Sequence, residues 1–313
     1  MMRIAAAGVV SAALLWSGSA QGAAPTRPQP TFESGITVVS LPVYVTDSKG
    51  QSVTGLTAED FVVFEGGVPQ TITNFSHELQ PIALAILIDT SASMEERIET
   101  AQEAAIGFLR RLTPQDRAMV IEFDAQARIR QKFTDDRVAL EDAIRGTRPA
   151  GPTALYNALY TAVSELRIDY TSNRTDATFR RQAIVVLSDG EDTASLIDDV
   201  AVLEALQRSE IVLYAIGLRA DGREDARGFE RSEMILRRMS QQTGGRAWFI
   251  TRLNELRDVY AQIADELASQ YTIGYVSKNA QRDGSWRAVQ VRAHGAGLVA
   301  RTRAGYFAPK ERR

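Results

Sequence analysis

The chain has 313 residues, with 36 Lys and Arg against 39 Asp and Glu, a formal net charge of −3. The whole chain is therefore not a polyanion binder and the basic stripe of a nucleic-acid protein is not evident, while a hydrophobic content of 44% allows a sizeable core. Cysteine is absent and the two histidines, His77 and His294, are far apart, which excludes disulfides, thiolate metal sites, a cysteine nucleophile and a histidine-rich zinc site.

In chain order, Met1-Met2-Arg3 is a short positive start, and Ile4 to Trp16 is a run of 13 almost wholly apolar residues. Gly18-Ser19-Ala20 and Gly22-Ala23-Ala24 follow as small-x-small cleavage candidates. Residues 1–24 are predicted to be a secretory signal peptide and 25–30 a Pro-rich linker. The apolar run is shorter than the roughly 20 residues of a spanning helix, and no later segment is long enough, so no membrane span is predicted in the mature chain. An exported chain without cysteine suits a bacterial periplasm or secreted bacterial protein.

Residues 31–80 read as a β segment. Ile36 to Asp47 is β-branched, Ser48-Lys49-Gly50 marks a turn, and Phe61 to Glu65 and Thr71 to Phe75 are further strands. Residues 81–270 change period. Ile82 to Ile88 and Ala183 to Leu187 are continuous apolar runs, as strands buried on both faces should be. Helical spacing connects Ile98 to Leu112, Leu155 to Leu166, Leu196 to Leu206, Met234 to Met239 and Leu253 to Leu267. Strands alternate with them at Arg117 to Phe123, Ile211 to Ile216 and Ala247 to Ile250, with a short edge strand at Ala127 to Phe133. This alternation predicts a doubly wound, Rossmann-like α/β sheet. The charged stretch Arg219 to Glu233 reads as a solvated loop. Residues 271–313 return to β. Neither flank alone has many strands, so the two are predicted to pair as one β-sandwich, with contacts between Val38 to Val45 and Val289 to Arg301.

Ligands of a doubly wound sheet bind beyond the carboxyl ends of its strands. There, the first apolar strand runs into Asp89-Thr90-Ser91-Ala92-Ser93, and the strand Ala183 to Leu187 runs into Ser188-Asp189-Gly190. Between them, Gly151-Pro152-Thr153 precedes a helix. The three loops offer Asp, Ser, Ser, Thr and Asp, all hard oxygen donors of the kind Mg²⁺ prefers.

Asp89-x-Ser91-x-Ser93 with Thr153 and Asp189 resembles the metal-ion-dependent adhesion site of von Willebrand factor A domains. Leu56 to Phe61 and Arg303 to Pro309 resemble the flank motifs of exported bacterial proteins built around that domain. The resemblance implies a site for Mg²⁺, or Mn²⁺, held by Asp89, Ser91, Ser93, Thr153 and Asp189, with Asp89 acting mostly through water. It implies a non-enzymatic adhesion module that captures an acidic side chain of a partner protein. One departure is Pro152, where glycine is usual; proline stiffens the loop and removes a donor.

Other readings are a hydrolase using Glu122 or Glu191 beside the metal, and a structural envelope protein whose site is degenerate. Gly295-Ala296-Gly297-Leu298-Val299-Ala300 matches a dinucleotide fingerprint, but no helix follows it, so that function is rejected. No Walker A loop, His-Glu-x-x-His motif or Gly-x-Ser-x-Gly elbow is present.

Overall fold

In a computed structural model of the protein, the described residues are 38–78, 80–172, 180–189, 191–219 and 226–310. The expected signal peptide and linker lie outside them.

Six strands form the central sheet: β5 (Ile82–Asp89), β6 (Arg117–Phe123), β7 (Ala127–Thr134), β8 (Arg181–Ser188), β9 (Val212–Leu218) and β10 (Ala247–Ile250). Their order is β10-β9-β8-β5-β6-β7, with only the edge strand β7 antiparallel. Every residue of β5 is buried, and alternate side chains serve different layers. Leu84, Ile86 and Ile88 pack beneath α1 (Ile98–Leu109), α2 (Arg137–Arg145) and α6 (Leu256–Ala268). Ala83, Ala85 and Leu87 face α3 (Leu155–Ser172), α4 (Asp199–Gln207) and α5 (Ala226–Thr243). The continuous apolar runs are therefore two-sided cores, and the doubly wound reading holds.

Two elements depart from the sequence reading. Helix α2 was not foreseen. Its start is set by Asp136, whose carboxylate accepts the Val138 and Ala139 N–H groups, and it buries only Leu140 and Ile144. Helix α5 is longer than the expected Met234 to Met239 and takes in the end of the stretch read as a loop. It stops before Gly244, whose φ of 83° is the left-handed conformation that ends helices.

The flanking strands pair with one another as predicted. One sheet has the order β13-β1-β11-β4, formed by Val299–Arg301, Val38–Thr46, Tyr271–Val276 and Ile72–Ser76. The other has the order β14-β12-β2-β3, formed by Gly305–Phe307, Trp286–Ala293, Phe61–Glu65 and Val68–Gln70. Strand β1 pairs with β13 at Tyr44–Arg301 and Val45–Ala300, which joins segments from either side of the α/β sheet. Both sheets contribute to one core containing Leu41, Val43, Val63, Ile273, Val291 and Tyr306. Beneath it, Glu65 accepts from the hydroxyls of Tyr275 (2.8 Å), Tyr306 (2.9 Å) and Ser277 (2.7 Å). The glycine-rich turn at 295–298 simply joins β12 to β13.

The sandwich is held to the α/β layers by charged side chains. Arg181 donates to the Gln80 and Leu267 carbonyls and to Gln270, and Arg301 pairs with the buried Glu266 of α6. Among the described residues, no helix is long and apolar enough to cross a membrane.

Candidate metal centre

The chain leaves β5 toward β6 on one side and returns through β8 on the other. The topological switch point of the sheet therefore lies between the carboxyl ends of β5 and β8, where open α/β sheets open a crevice. Asp89 is the last residue of β5, and Ser188 ends β8.

Strand β5 carries the Asp89 carboxylate into this crevice fully buried. One carboxylate oxygen accepts the Ser91 N–H at 2.8 Å, an Asx turn that folds the chain back on itself. The other accepts the Ser188 hydroxyl at 2.5 Å, which ties the two strand ends together. A single 3-10 turn over Ala92–Met94 follows, and it sets the Ser91 and Ser93 hydroxyl oxygens 3.0 Å apart. The Ser93 hydroxyl donates to Asp189 Oδ1 at 2.6 Å. Four of the five expected residues thus form one hydrogen-bonded chain.

The fifth, Thr153, is brought up by its loop. Gly151 has a φ of 70°, which glycine adopts without strain, and its carbonyl accepts the Ala92 N–H at 2.9 Å. Ala150 donates its N–H to the Thr90 carbonyl at 2.6 Å. These two bonds tie the loop that carries Pro152 to the Asp89–Ser93 loop. Thr153 is buried, its backbone is tied to Thr193, and its hydroxyl makes no hydrogen bond among the described residues.

The charges favour a cation. Burial pushes the Asp89 carboxyl up to about 6. Hydrogen bonds from Ser188 and Ser91 oppose the rise, and the negative charge of Asp189 adds to it. A buried carboxylate raised in this way is relieved by positive charge nearby. Part of that charge comes from Arg97, whose guanidinium lies 2.5 Å from Asp189 Oδ2. Sequence reasoning missed Arg97, because its partner is 92 positions away and no spacing rule links them. Among the described residues, no group of three or more His, Asp and Glu is placed to hold a metal. A divalent cation here would rely on two carboxylates and the hydroxyls, a hard, uncharged-rich donor set that suits Mg²⁺ or Mn²⁺.

Of the two residues considered for hydrolysis, Glu122 is engaged. Glu122 is buried and faces Arg128 and Arg130 at 3.7 and 3.6 Å. Asp192 caps α3 by accepting the Tyr156 N–H at 2.9 Å and the Ser195 hydroxyl. Glu191 is exposed.

Residues 84–191 match the family model of the von Willebrand factor type A domain. A curated uncharacterized protein of Synechocystis is 31% identical over 115 residues, which is 36% of this chain and 26% of that protein. The match thus spans about a quarter of the relative's length. A solved von Willebrand factor type A structure from Catenulispora acidiphila superposes with a TM-score of 0.52 at 14% identity, over 90% of this chain and 76% of the other. Proximal thread matrix protein 1 from the mussel byssus, solved with a zinc-occupied MIDAS motif, gives a TM-score of 0.47 at 15% identity, over 65% of this chain and 49% of the other. Domains of this type commonly mediate protein interactions through a metal. The matched segment begins in β5, ends just beyond Asp189 and contains every residue of the crevice, so this chain contains a von Willebrand factor type A domain.

Proposed function

We propose that the protein is a non-enzymatic adhesion module that holds Mg²⁺ through Ser91, Ser93, Thr153 and Asp189, with Asp89 behind them. The observation that carries this reading is the convergence of Asp89, Ser91, Ser93 and Asp189 in one hydrogen-bonded chain at the switch point of the sheet. Bound there, the metal supplies an open coordination position for a carboxylate of a partner protein. Asp89 and Asp189 together carry −2 and Arg97 carries +1, so the site loaded with a divalent cation is net positive and still accepts an anion. Ser188 and the Ser91 N–H orient Asp89, and Ser93 orients Asp189. Glu122, one of the two carboxylates considered as a base, is held by two arginines.

Export to a bacterial periplasm or medium is part of the proposal and rests on residues 1–24 alone. Mass spectrometry of the native N-terminus checks it. The α/β domain, residues 81–270, is then an insertion between two halves of a β domain. The functional test is capture from an envelope fraction by immobilised protein. A partner retained in Mg²⁺, released by EDTA and not retained by Ser91→Ala supports the reading. Retention that is indifferent to EDTA contradicts it.

A further inference from the structure

At the opposite end of the sheet from Asp89, a cavity of about 620 Å³ opens between α3 and α4 and is closed by Pro42 and Thr272 of the sandwich. That size falls within the roughly 300–1,000 Å³ of small-molecule sites. Its walls follow from helix periodicity. Tyr160, Val163, Arg167 and Tyr170 recur at three- and four-residue spacing along one side of α3. Ala201 and Ala205 face them from α4, and these short side chains leave the space open.

The charges of the lining do not cancel. Glu204 is paired with Arg208 at 2.8 Å, and Glu210 faces Arg303 at 3.6 Å. Arg181 is saturated by carbonyls and Gln270. Among the described residues, Arg167 and Arg180 have no carboxylate partner and the buried Nε of Arg180 has no hydrogen-bond partner. A buried donor left unmade is costly, and a guanidinium is the side chain best shaped to take a carboxylate, sulfonate or phosphate in two-pronged fashion.

We propose that this cleft binds a small amphipathic anion, with its charged group on Arg167 and Arg180 and its apolar body between Tyr160, Val163 and the alanines of α4. This site is separate from the metal centre. Because Pro42 and Thr272 close it, its ligand touches both the α/β layers and the sandwich.

The test uses the whole chain with 8-anilinonaphthalene-1-sulfonate, an aromatic body bearing one anion, followed by fluorescence. Saturable one-to-one binding is expected. The double variant Arg167→Gln with Arg180→Gln should weaken it at least tenfold and leave binding of neutral 1-anilinonaphthalene unchanged. Ala201→Trp, a change at an exposed position that fills the mouth, should weaken both probes. Millimolar inorganic phosphate should fail to displace the sulfonate probe. Unsaturable binding by the wild type, equal affinity in the arginine variant, or displacement by phosphate alone would each overturn the proposal.

Discussion

The guanidinium of Arg97 lies 2.5 Å from the Asp189 carboxylate, whose side chain is fully buried while that of Arg97 is 20% exposed. Asp189 therefore has two claimants on its two oxygens: the Ser93 hydroxyl on one and a cation of the protein's own on the other. A divalent ion binding at Ser91 and Ser93 shares Asp189 with Arg97 or displaces it.

Replacing Arg97 by Ala should have opposite effects with and without metal. In EDTA the buried Asp189 loses its counter-charge, and stability should fall by about 1–3 kcal/mol. Mg²⁺ affinity should rise several-fold, because one repelling charge is gone. Calorimetric titration and denaturant unfolding of the same variant check the two signs. Unchanged affinity would mean Arg97 does not compete.

Ser93→Ala removes the hydroxyl that links Ser91 to Asp189. Without metal it should cost about 1 kcal/mol, one ordinary hydrogen bond. Mg²⁺ binding should weaken at least tenfold, about 1.4 kcal/mol. Thr153→Val keeps the shape of a buried side chain whose hydroxyl has no protein partner among the described residues. It should leave stability in EDTA nearly unchanged and still lower Mg²⁺ affinity, as comparative titration would show.

Glu65 anchors the sandwich across segments that precede and follow the central sheet, through Tyr275, Ser277 and Tyr306. Arg287 stands 3.5 Å away. Glu65→Ala should destabilise the protein by about 3 kcal/mol, since it takes the counter-charge from a buried arginine and the acceptor from two phenol groups. Glu65→Gln keeps an acceptor and should cost less. Urea unfolding of both variants checks the order.

The Arg110 guanidinium donates to Glu141 at 3.0 and 3.2 Å, which joins α1 to α2 and holds the Glu141 carboxyl below the usual carboxylate range. A carboxyl depressed in the folded state adds stability above its unfolded pKa and loses it as pH falls through the folded value. The pair is solvent-accessible, so Glu141→Gln should cost under about 1 kcal/mol at neutral pH. That difference from wild type should shrink as pH falls below the unfolded value of about 4.3 and vanish only below the lower folded value. Paired thermal melts across pH 3–7 check both statements.

How legible all this was depended on where each signal sits. Strands β5 and β8 were readable because their apolar runs are buried on both faces. Helix α2 was not, because two buried residues are too few to set a period, although its Asp136 cap was a usable sign. Helix α5 was obscured by arginines and glutamates on its exposed side, with Ile235, Leu236 and Met239 as its buried apolar residues among those described. Asp89, Ser91 and Ser93 were readable because one short loop carries them. Arg97 and the cleft at Arg167 and Arg180 depend on contacts between distant segments, which no local pattern encodes. The pairing of β1 with β13 was foreseen only because neither flank had strands enough to close a sandwich alone.

The central claim is that Mg²⁺ binds between Asp89, Ser91, Ser93, Thr153 and Asp189. Calorimetric titration of MgCl₂ into the EDTA-stripped protein tests it most directly, with Asp89→Asn and Ser91→Ala as controls. The account predicts one site in the wild type, loss of binding in both variants, and about 2.7 kcal/mol of added stability at one hundred times the dissociation constant. No heat and no stabilisation at millimolar Mg²⁺ or Mn²⁺, or equal binding by the variants, would contradict it.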